Sequence, residues 1–442
     1  MSIKTFKGGI HPSYMKKLTR KKPITVLEAG AQVVIPLQQH IGRICEPLVK
    51  KGDYVKVGQK IGDTDAFVSS PVHSSVSGTV AAVEPRLASG GVKVMSVVID
   101  NDFQNVVDET VDLAGDWEHM THEEIVNAVH KAGIVGMGGA GFPMHIKIDP
   151  PPEKIIKYII LNGAECEPYL SSDHRTMLEH TDEMLFGVQI LMQLSNARRA
   201  FIAVEDNKPD VIAALLKKNL PYSIEVVPLE TKYPQGSEKH LIKAVTGIEV
   251  PAGKLPADVG VIVNNIDTCI SLYTALVNNK PLIRRRVTVS GKAVAHPGVY
   301  DVPIGMSFRE LFEAAGGFKE EPEKIIMGGP MMGAAQVSLD IPLVKTTSGI
   351  LAFTKKECGD APESPCLRCG KCVDVCPMHL MPGSIATASD RDDIEKAEKL
   401  CADSCVECGS CSYICPAHRY LVERIRIAKN KVINVQRSRK QD

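Results

Sequence analysis

Two cysteine runs near the carboxyl end constrain this 442-residue chain more than any other feature of its sequence. They share one spacing, Cys366-x2-Cys369-x2-Cys372-x3-Cys376-Pro377 and Cys405-x2-Cys408-x2-Cys411-x3-Cys415-Pro416. In each run, three thiolates recur at intervals of three residues and can bind one face of an iron–sulfur cubane. The fourth is displaced by one residue and precedes proline, so we expect it to point toward the cluster of the other run.

This spacing resembles that of two-cluster ferredoxins and predicts two 4Fe–4S clusters with crossed ligation. We assign the first cluster to Cys366, Cys369, Cys372 and Cys415. We assign the second cluster to Cys405, Cys408, Cys411 and Cys376. Structural zinc is the main alternative, because it also uses paired C-x2-C motifs, but it has no use for a third cysteine at the same interval. The chain is therefore expected to carry electrons one at a time.

The length and charge of the chain narrow the classes of protein to which it can belong. A chain of this size exceeds what one hydrophobic core usually serves, so three or four domains are expected. The formal net charge is zero, which predicts no nucleic-acid partner. No apolar run approaches the ~20 residues that a membrane-spanning helix needs, and the first residues lack a signal-peptide core. We expect no transmembrane segment, and the thirteen cysteines suit a reducing cytoplasm.

The first two segments are a basic arm and an all-β region. Residues 1–32 are basic and irregular, which favours a solvated arm over contact with an acidic partner or a lipid surface. Residues 33–100 alternate short apolar runs with turns and resemble the lipoyl/biotinyl barrel-sandwich domains. Those domains carry a cofactor on a lysine at a hairpin tip, but the tip here, residues 69–75, has none. We therefore predict a docking or structural module, with His73 on its surface.

A glycine-rich loop follows the next predicted helix. Thr121 begins that helix and Glu124 completes a capping box. The loop, Gly136-Met137-Gly138-Gly139-Ala140-Gly141-Phe142-Pro143, satisfies G-x-G-x-x-G, but it follows a helix where the dinucleotide fingerprint should follow a strand. Its uncovered backbone N–H groups would let a phosphate or a flat ring approach closely, and a structural tight loop is the alternative.

Polar residues follow predicted strands at two further places. A buried strand over residues 155–161 ends in Asn162-Gly163-Ala164-Glu165-Cys166-Glu167-Pro168, and a strand over residues 259–263 ends in Asn264-Asn265-Ile266-Asp267-Thr268. Between them lies Tyr233-Pro234-Gln235-Gly236-Ser237-Glu238. Strands that end in such residues place polar groups at one sheet edge, where α/β folds bind ligands.

These four motifs, in this order, resemble the flavin- and NADH-binding subunit of respiratory complex I. The resemblance covers roughly residues 120–280 and implies a Rossmann-like α/β domain, placed at 119–282, with non-covalent FMN. The residues implied around FMN are Gly136, Gly138, Gly139, Lys147, Asn162, Glu165, Gly236, Asn264, Asn265 and Thr268, with Tyr233 and Ser237 in the same motif. NADH is implied near Phe142, Glu167 and Glu238, and Glu165 and Glu167 are the implied catalytic carboxylates.

The chain departs from that relative at several positions. Ala164 stands where the relative has an aspartate, and Ser237 replaces the first of two acidic residues. Pro150 and the stretch 251–256 lack the aromatic residues that hold adenine in the relative. The sequence therefore does not say how the adenine end of NAD(H) is held.

The remaining segments complete a four-domain architecture. Residues 285–350 are similar to a soluble-ligand-binding β-grasp domain, and 358–425 form the helix-rich two-cluster ferredoxin domain. The loop Gly328–Gly333 is predicted as a turn rather than as a second ligand site. Residues 426–442 form a basic tail, which is either solvated or binds an acidic electron-carrier subunit. The fold class is thus multidomain α/β and α+β.

The whole arrangement resembles the RnfC family, the C subunits of Rnf complexes, which are membrane-bound ferredoxin:NAD oxidoreductases. The resemblance implies hydride exchange with NAD(H) at FMN, and single electrons passing through both clusters to partner subunits, one of them an iron–sulfur subunit. It implies a peripheral subunit on the cytoplasmic side of the cell membrane, in a complex that translocates ions. A flavin/iron–sulfur cobalamin reductase is an alternative, but there the barrel-sandwich follows the flavin domain. A non-catalytic electron-carrier scaffold is the other alternative, kept open by Ala164, Ser237 and Pro150.

Overall fold

The computed structural model describes residues 2–113, 117–359 and 361–439. Met1 of the predicted arm and residues 440–442 of the predicted tail lie outside the described residues. The barrel-sandwich, flavin, β-grasp and cluster domains follow one another as predicted, which confirms the fold class. Within the described residues, no helix is both long enough and apolar enough to cross a membrane.

The amino-terminal arm runs over the other domains instead of standing free. Its elements are a 3-10 turn over Lys16–Leu18 and strand β1, Ile24–Val26. Earlier residues form isolated bridges, Lys4 to Leu229 and Ile10 to Tyr233. The prediction of a solvated arm is wrong for Lys16, which is only 3% exposed because backbone carbonyl groups surround its amino group.

The barrel-sandwich domain consists of two small antiparallel sheets. Its strands are β2 Gln32–Pro36, β3 Glu46–Pro47, β4 Tyr54–Val55, β5 Lys60–Asp63, β6 Val72–His73, β7 Gly78–Leu87 and β8 Lys93–Asn101. The sheet orders are β2-β8-β7-β4 and β3-β5-β6. The expectation of a surface histidine at the hairpin tip is wrong, because His73 is 5% exposed. The tip packs against the neighbouring domains, where the Ser75 hydroxyl donates to the carbonyl of Ile304.

The flavin domain is a parallel sheet covered by helices on both faces. Its helices are α1 His122–Lys131, α2 Met144–Ile148, α3 Ser172–Glu179, α4 Thr181–Ser195, α5 Pro209–Leu216, α6 Glu238–Thr246 and α7 Ile266–Leu276. Its strands are β9 Tyr158–Gly163, β10 Arg199–Glu205, β11 Ile224–Leu229 and β12 Val261–Asn265, in the order β11-β10-β9-β12. The capping box predicted at Thr121 and Glu124 is present.

The β-grasp domain takes one strand from the arm. It contains β13 Arg284–Ser290, β14 Gly298–Pro303, α8 Phe308–Ala314, β15 Lys324–Met327, β16 Ala334–Ala335 and β17 Gly349–Phe353. The sheet order is β1-β14-β13-β17-β15-β16, so β1 forms one edge by parallel pairing with β14. The arm is therefore a structural part of this sheet.

The cluster domain is helical, as predicted. Its helices are α9 Lys355–Cys358, α10 Lys371–Asp374, α11 Pro382–Asp390, α12 Ile394–Lys399, α13 Ser410–Tyr413 and α14 Leu421–Ser438. Helix α14 packs against α11 and α12. The amino group of Lys429 donates to the carbonyl of Cys405. Residues 426–438 thus continue the cluster domain as part of α14.

Candidate functional site

The crevice between β9 and β12 is the natural ligand-binding position of the parallel sheet. The strand order reverses there, and α/β sheets bind ligands outside the carboxyl ends of the strands at such a point. The strand register pairs Asn162 at the end of β9 with Asn265 at the end of β12. The Asn162 side chain donates to the carbonyl of Gly236, 2.9 Å away. Three of the predicted motifs therefore meet at this crevice.

The glycine loop lies across the same crevice. An isolated bridge between Val135 and Pro143 closes the loop at its base. The amide of Met137 donates to the Thr268 hydroxyl over 3.0 Å, so Thr268 anchors the loop. A Cβ on Gly138 would lie 3.0 Å from the Cβ of Asn265, whereas a Cβ on Gly139 would have no neighbour within 4 Å. The backbone at Gly139 is consequently open to a ligand.

The two predicted catalytic carboxylates occupy different environments. Glu165 is 9% exposed and has a φ of 31°, in the left-handed region that few non-glycine residues adopt. Its Oε1 accepts a hydrogen bond from the amide of Asp173 at 2.7 Å, while Oε2 is buried without a hydrogen-bond partner. Glu167 instead accepts hydrogen bonds from the amides of Met331 and Met332, at 3.0 and 2.9 Å. Burial raises the pKa of Glu167 to about 7.

The remaining predicted residues divide between the crevice and its surroundings. The Lys147 amino group lies 3.3 Å from a carboxylate oxygen of Glu238, at the half-exposed mouth of the crevice. Ser237 precedes α6, and its hydroxyl contacts the ring of His240. The amide of Gly236 donates to the Cys166 thiol.

Two of the predicted residues contact other domains rather than open space. Tyr233 is 1% exposed and donates to the carbonyl of Cys408 in the cluster domain. Glu167 binds the β-grasp loop Gly328–Gly333, which gives that loop a contact that the prediction of a simple turn did not foresee. Phe142 is half-buried, and its carbonyl accepts from the amide of Gly136.

The structure adds buried charged residues that the sequence did not single out. Asp173 accepts a hydrogen bond from Asn265, and its pKa is raised to about 7 by burial and by the Glu165 carboxylate. Lys16 and Lys208 contact backbone carbonyl groups of the Glu165 loop. The acceptors of Lys16 lie about 150 residues away in the chain, whereas Lys208 also pairs with the nearby Glu205 carboxylate over 2.7 Å. Asp173 lies five residues after Pro168, the last residue of the Asn162–Pro168 motif. This closeness to the motif is the one sequence feature that could have identified it as a site residue.

The crevice is suited to a flavin nucleotide, because it contains polar atoms without hydrogen-bond partners and a stretch of uncovered backbone. Among the described residues, the buried Asn264 Nδ2, Glu165 Oε2 and both amide atoms of Gln235 have no hydrogen-bond partner, although the Lys16 amino group lies 3.5 Å from Glu165 Oε2. Buried polar atoms normally find partners, so these atoms are suited to a polar ligand. Lys147 supplies a cation at the mouth, and Gly139 leaves room for close approach of a ring or phosphate.

Four cysteines from both runs surround one apolar cavity. They are Cys376, Cys405, Cys408 and Cys411. The cavity walls also include Pro377, Val406, Val422 and Ile425. Within the described ranges, no three His, Cys, Asp or Glu side chains converge tightly enough to hold one metal ion. Four thiols around one cavity match the number of thiolates that a 4Fe–4S cluster takes.

The other four cysteines lie nearer the surface. Cys366 and Cys369 are exposed, while Cys372 and Cys415 are half-buried. The pKa of Cys372 is raised, first by burial and then by the charges of Cys415 and Cys366, which are its neighbours in space. The structure therefore places Cys376 with the three other thiols of the buried cavity, and Cys415 near Cys372, while the full crossed ligation stays a prediction.

Family comparisons match every domain. Residues 4–104 match the RnfC barrel sandwich hybrid domain, and 129–274 match the Nuo51 FMN-binding domain. Residues 286–335 match the SLBB domain, and 361–433 match the 4Fe-4S dicluster domain. The chain thus combines a flavin domain with a two-cluster iron–sulfur domain. This combination defines the class of electron-transferring oxidoreductases.

Two curated relatives extend the likeness over the whole chain. The C subunit of the proton-translocating ferredoxin:NAD(+) oxidoreductase complex of Clostridium ljungdahlii is 47% identical over 90% of this chain and 87% of its own. The Na(+)-translocating counterpart of Acetobacterium woodii is 47% identical over 99% of both chains. The chain belongs to this family, the C subunits of the Rnf complexes. A solved NAD+-reducing [NiFe]-hydrogenase chain is 18% identical, with a TM-score of 0.49 over 72% of this chain and 64% of that one.

Proposed function

We propose that the chain is the NAD(H)-oxidising and -reducing, electron-transferring subunit of a membrane-bound, ion-translocating ferredoxin:NAD oxidoreductase complex. Its family and its flavin and dicluster domains support this function, and they give no support to the cobalamin-reductase or scaffold alternatives. The observation that supports this function most directly is the hydrogen bond between Tyr233 and Cys408, which joins the flavin crevice to the buried thiol cavity. Electrons can pass between sites that are packed against each other in this way.

The residues of the crevice have separable roles in this function. When bound, FMN supplies the chemistry that accepts a hydride from NADH and releases electrons singly. Gly139 leaves its backbone open to it, Gly138 allows the close approach of Asn265, and Lys147 neutralises its phosphate. Asn264 donates from its unsatisfied Nδ2. The carboxylate of Glu165 stands in the wall of the pocket and contributes to its electrostatics.

NADH binds at the outer side of the same crevice. Phe142, Glu167 and Glu238 are the residues that we assign to it. Glu238 is partly exposed, whereas the Glu167 carboxylate is held by the β-grasp loop. Glu167 is bound to the β-grasp loop, so the nicotinamide site includes a contribution from that domain. This loop restricts access of water to the carboxylate.

The two clusters act in a fixed order. The cluster held by Cys405, Cys408, Cys411 and Cys376 is buried beside the flavin domain, so it exchanges electrons with the flavin. The cluster held by Cys366, Cys369, Cys372 and Cys415 has two exposed ligands and exchanges electrons with a partner subunit. That partner is an iron–sulfur subunit of the complex.

The chain works as a peripheral subunit on the cytoplasmic side of the membrane, where NAD(H) is found. Its two relatives are named for different ions, protons in one and Na+ in the other, at the same 47% identity. Identity alone therefore does not choose between the two ions. Ion translocation belongs to the complex as a whole.

Anaerobic purification followed by cofactor counts and an NADH titration tests the proposal. We expect about eight irons, eight labile sulfides and one FMN per chain. NADH should bleach the flavin and then reduce the clusters, as followed by visible absorbance and electron paramagnetic resonance. If dithionite reduces the clusters while NADH leaves flavin and clusters oxidised, the chain is a carrier scaffold.

A further inference from the structure

The amino group of Lys16 is buried beneath the Glu165 loop. It donates to the carbonyl oxygens of Glu165 at 2.7 Å and Glu167 at 3.1 Å, and also to that of Leu170. It lies 3.5 Å from Oε2 of Glu165, with both side chains 3% exposed. A lysine from the amino-terminal arm thus holds a loop about 150 residues away in the chain.

The hydrogen bonds indicate that Lys16 is charged. Three acceptors surround its Nζ, and only the ammonium form has three N–H donors. Burial lowers the pKa of Lys16, while the nearby Glu165 carboxylate raises it. A buried ammonium beside a buried carboxylate is costly unless every donor is satisfied, and here every donor is used.

The loop that Lys16 holds carries strain and an unsatisfied atom. Glu165 has a positive φ, and its Oε2 has no hydrogen-bond partner in the part of the chain that the structure describes. Lys208 supports the neighbouring carbonyl of Ala164 over 3.2 Å. Strained backbone persists where surrounding contacts over-determine it, and such positions concentrate at functional sites. Two buried lysines therefore fix the loop in a conformation that it would not otherwise keep.

The same arm also reaches the loop that bears a cluster ligand. The amide of Gly9 donates to the carbonyl of Val375 at 2.9 Å. A Cβ on Gly8 would lie 3.0 Å from the carbonyl oxygen of Cys376, and its φ of 87° favours glycine. Gly9 and Lys16 lie close together in the chain, so one short segment contacts both redox sites. Gly9 makes the contact with the cluster-ligand loop, and Lys16 makes the contact with the Glu165 loop.

We propose that Lys16 is a positioning residue of the NADH reaction: it fixes the Glu165 loop in the flavin site and places a buried positive charge there. This proposal rests on the proposed function. A buried cation in the wall of the site favours arrival of the electrons that NADH delivers, because charge interactions are strong at low dielectric. Lys16 does not touch the reacting atoms, so it acts through the loop.

Three variants test the proposal. Lys16→Met removes the donors and the charge, whereas Lys16→Gln keeps two N–H donors and removes the charge. Lys17→Met is the matched control, because Lys17 is adjacent and exposed. Iron content reports whether each variant has folded.

Four measurements separate a positioning role from general stabilisation. In FMN-free protein, Lys16→Met should speed amide hydrogen exchange across residues 164–170, while Lys17→Met should not. The Kd of the FMN-free protein for FMN should rise about tenfold, and single-turnover flavin reduction by NADH should slow at least about tenfold. The flavin midpoint potential should fall in both Lys16 variants, and Lys16→Gln should show the smaller change in exchange.

Clear outcomes overturn the proposal. If iron-loaded Lys16→Met and Lys16→Gln match Lys17→Met in exchange, Kd, potential and rate, Lys16 has no role in positioning. If both Lys16 variants lose iron as well, Lys16 stabilises the whole fold and the inference is wrong. If the unaltered protein itself binds no FMN or is not reduced by NADH, the proposed function fails, which is a separate result.

Discussion

The hydroxyl of Tyr233 donates a 2.8 Å hydrogen bond to the carbonyl oxygen of Cys408. Tyr233 follows the last residue of β11 by four positions, and Cys408 is one of the four thiols around the buried cavity. Ile10 from the arm packs in the same small apolar cluster. The flavin domain, the arm and the cluster domain therefore meet at one buried contact.

Replacing Tyr233 with phenylalanine should loosen that contact without emptying the crevice. The substitution leaves the Cys408 carbonyl without this donor, which costs about 1–3 kcal/mol. We expect FMN to stay bound and the buried cluster to be released at a lower urea concentration, followed by its visible absorbance. Tyr222→Phe, at a side chain 99% exposed, is the control. An unchanged urea midpoint would show that the hydrogen bond is unimportant.

Replacing Cys376 with alanine tests crossed ligation. Cys376 shares its cavity with Cys405, Cys408 and Cys411, so its loss should damage their cluster more than the one of its own run. Electron paramagnetic resonance and iron counts should show one cluster lost and one kept. Cys401→Ala, at an exposed thiol outside both motifs, is the control. Equal loss of both signals, or loss confined to its own run, argues against crossing.

The features predictable from the sequence are those encoded by local spacing. Cysteine intervals predict the two ligand sets, and the capping box at Thr121 is contained within four residues. The glycine loop and the polar strand ends were also visible, because each motif is continuous. Strand boundaries were predicted less accurately. The strand expected from residue 259 is β12, which begins at Val261, because Gly260 has a φ of 74° and ends a 3-10 turn.

Contacts between domains were not predictable from local patterns. Lys16 lies in a basic cluster that suggests solvent exposure, yet its acceptors are 149–154 residues away. His73 lies at a hairpin tip, which is normally exposed, but neighbouring domains cover it. The binding of Glu167 by Met331 and Met332 likewise depends on how the β-grasp domain docks.

Replacing Gly139 with valine should block FMN while leaving the protein folded. A Cβ there meets no protein atom within 4 Å, so the branched side chain would enter the space that the flavin needs. We expect full iron content, loss of FMN and no reduction by NADH, while dithionite still reduces the clusters. Ala213→Val, on the exposed side of α5, is the control. Stoichiometric FMN in Gly139→Val would make the glycine loop a structural turn.

The Glu167→Gln variant should retain FMN and respond differently to pH. The pKa of Glu167 is raised from 4.5 to about 7 by burial, so the folded state binds more protons than the unfolded state in that interval. The free energy of unfolding of the unaltered protein, relative to Glu167→Gln, should therefore fall as pH rises from 4.5 to 7. Denaturant titrations across that range measure the difference. Above pH 7, where Glu167 is ionised, NADH-dependent flavin reduction should also slow in the variant, because a charge is lost near the proposed nicotinamide site. A flat difference and an unchanged rate would contradict this.

The contribution of Lys345 to the free energy of unfolding should change with pH in the opposite direction to that of Glu167. Its buried amino group donates to the carbonyls of Pro71 and Gly133, at 2.6 and 2.7 Å, and so links three domains. Burial lowers its pKa from 10.5 to about 7, and a neutral amine has two N–H donors for these two acceptors. Between pH 7 and 10.5 the unfolded state binds more protons, so the stabilisation by Lys345 should increase with pH.

The Lys345→Met variant measures this effect directly. Methionine leaves both carbonyls without that donor, at a cost of about 1–3 kcal/mol each, so the variant should be less stable than the unaltered protein at high pH. The difference should shrink as pH falls from 10.5 toward 7, because the unaltered protein must then either bury a charged amine or release a proton on folding. Denaturant titrations at several pH values test this, with Lys319→Met, at an exposed lysine of the same domain, as the control. A difference that grows as pH falls would show that Lys345 is held as an ammonium ion in the folded protein.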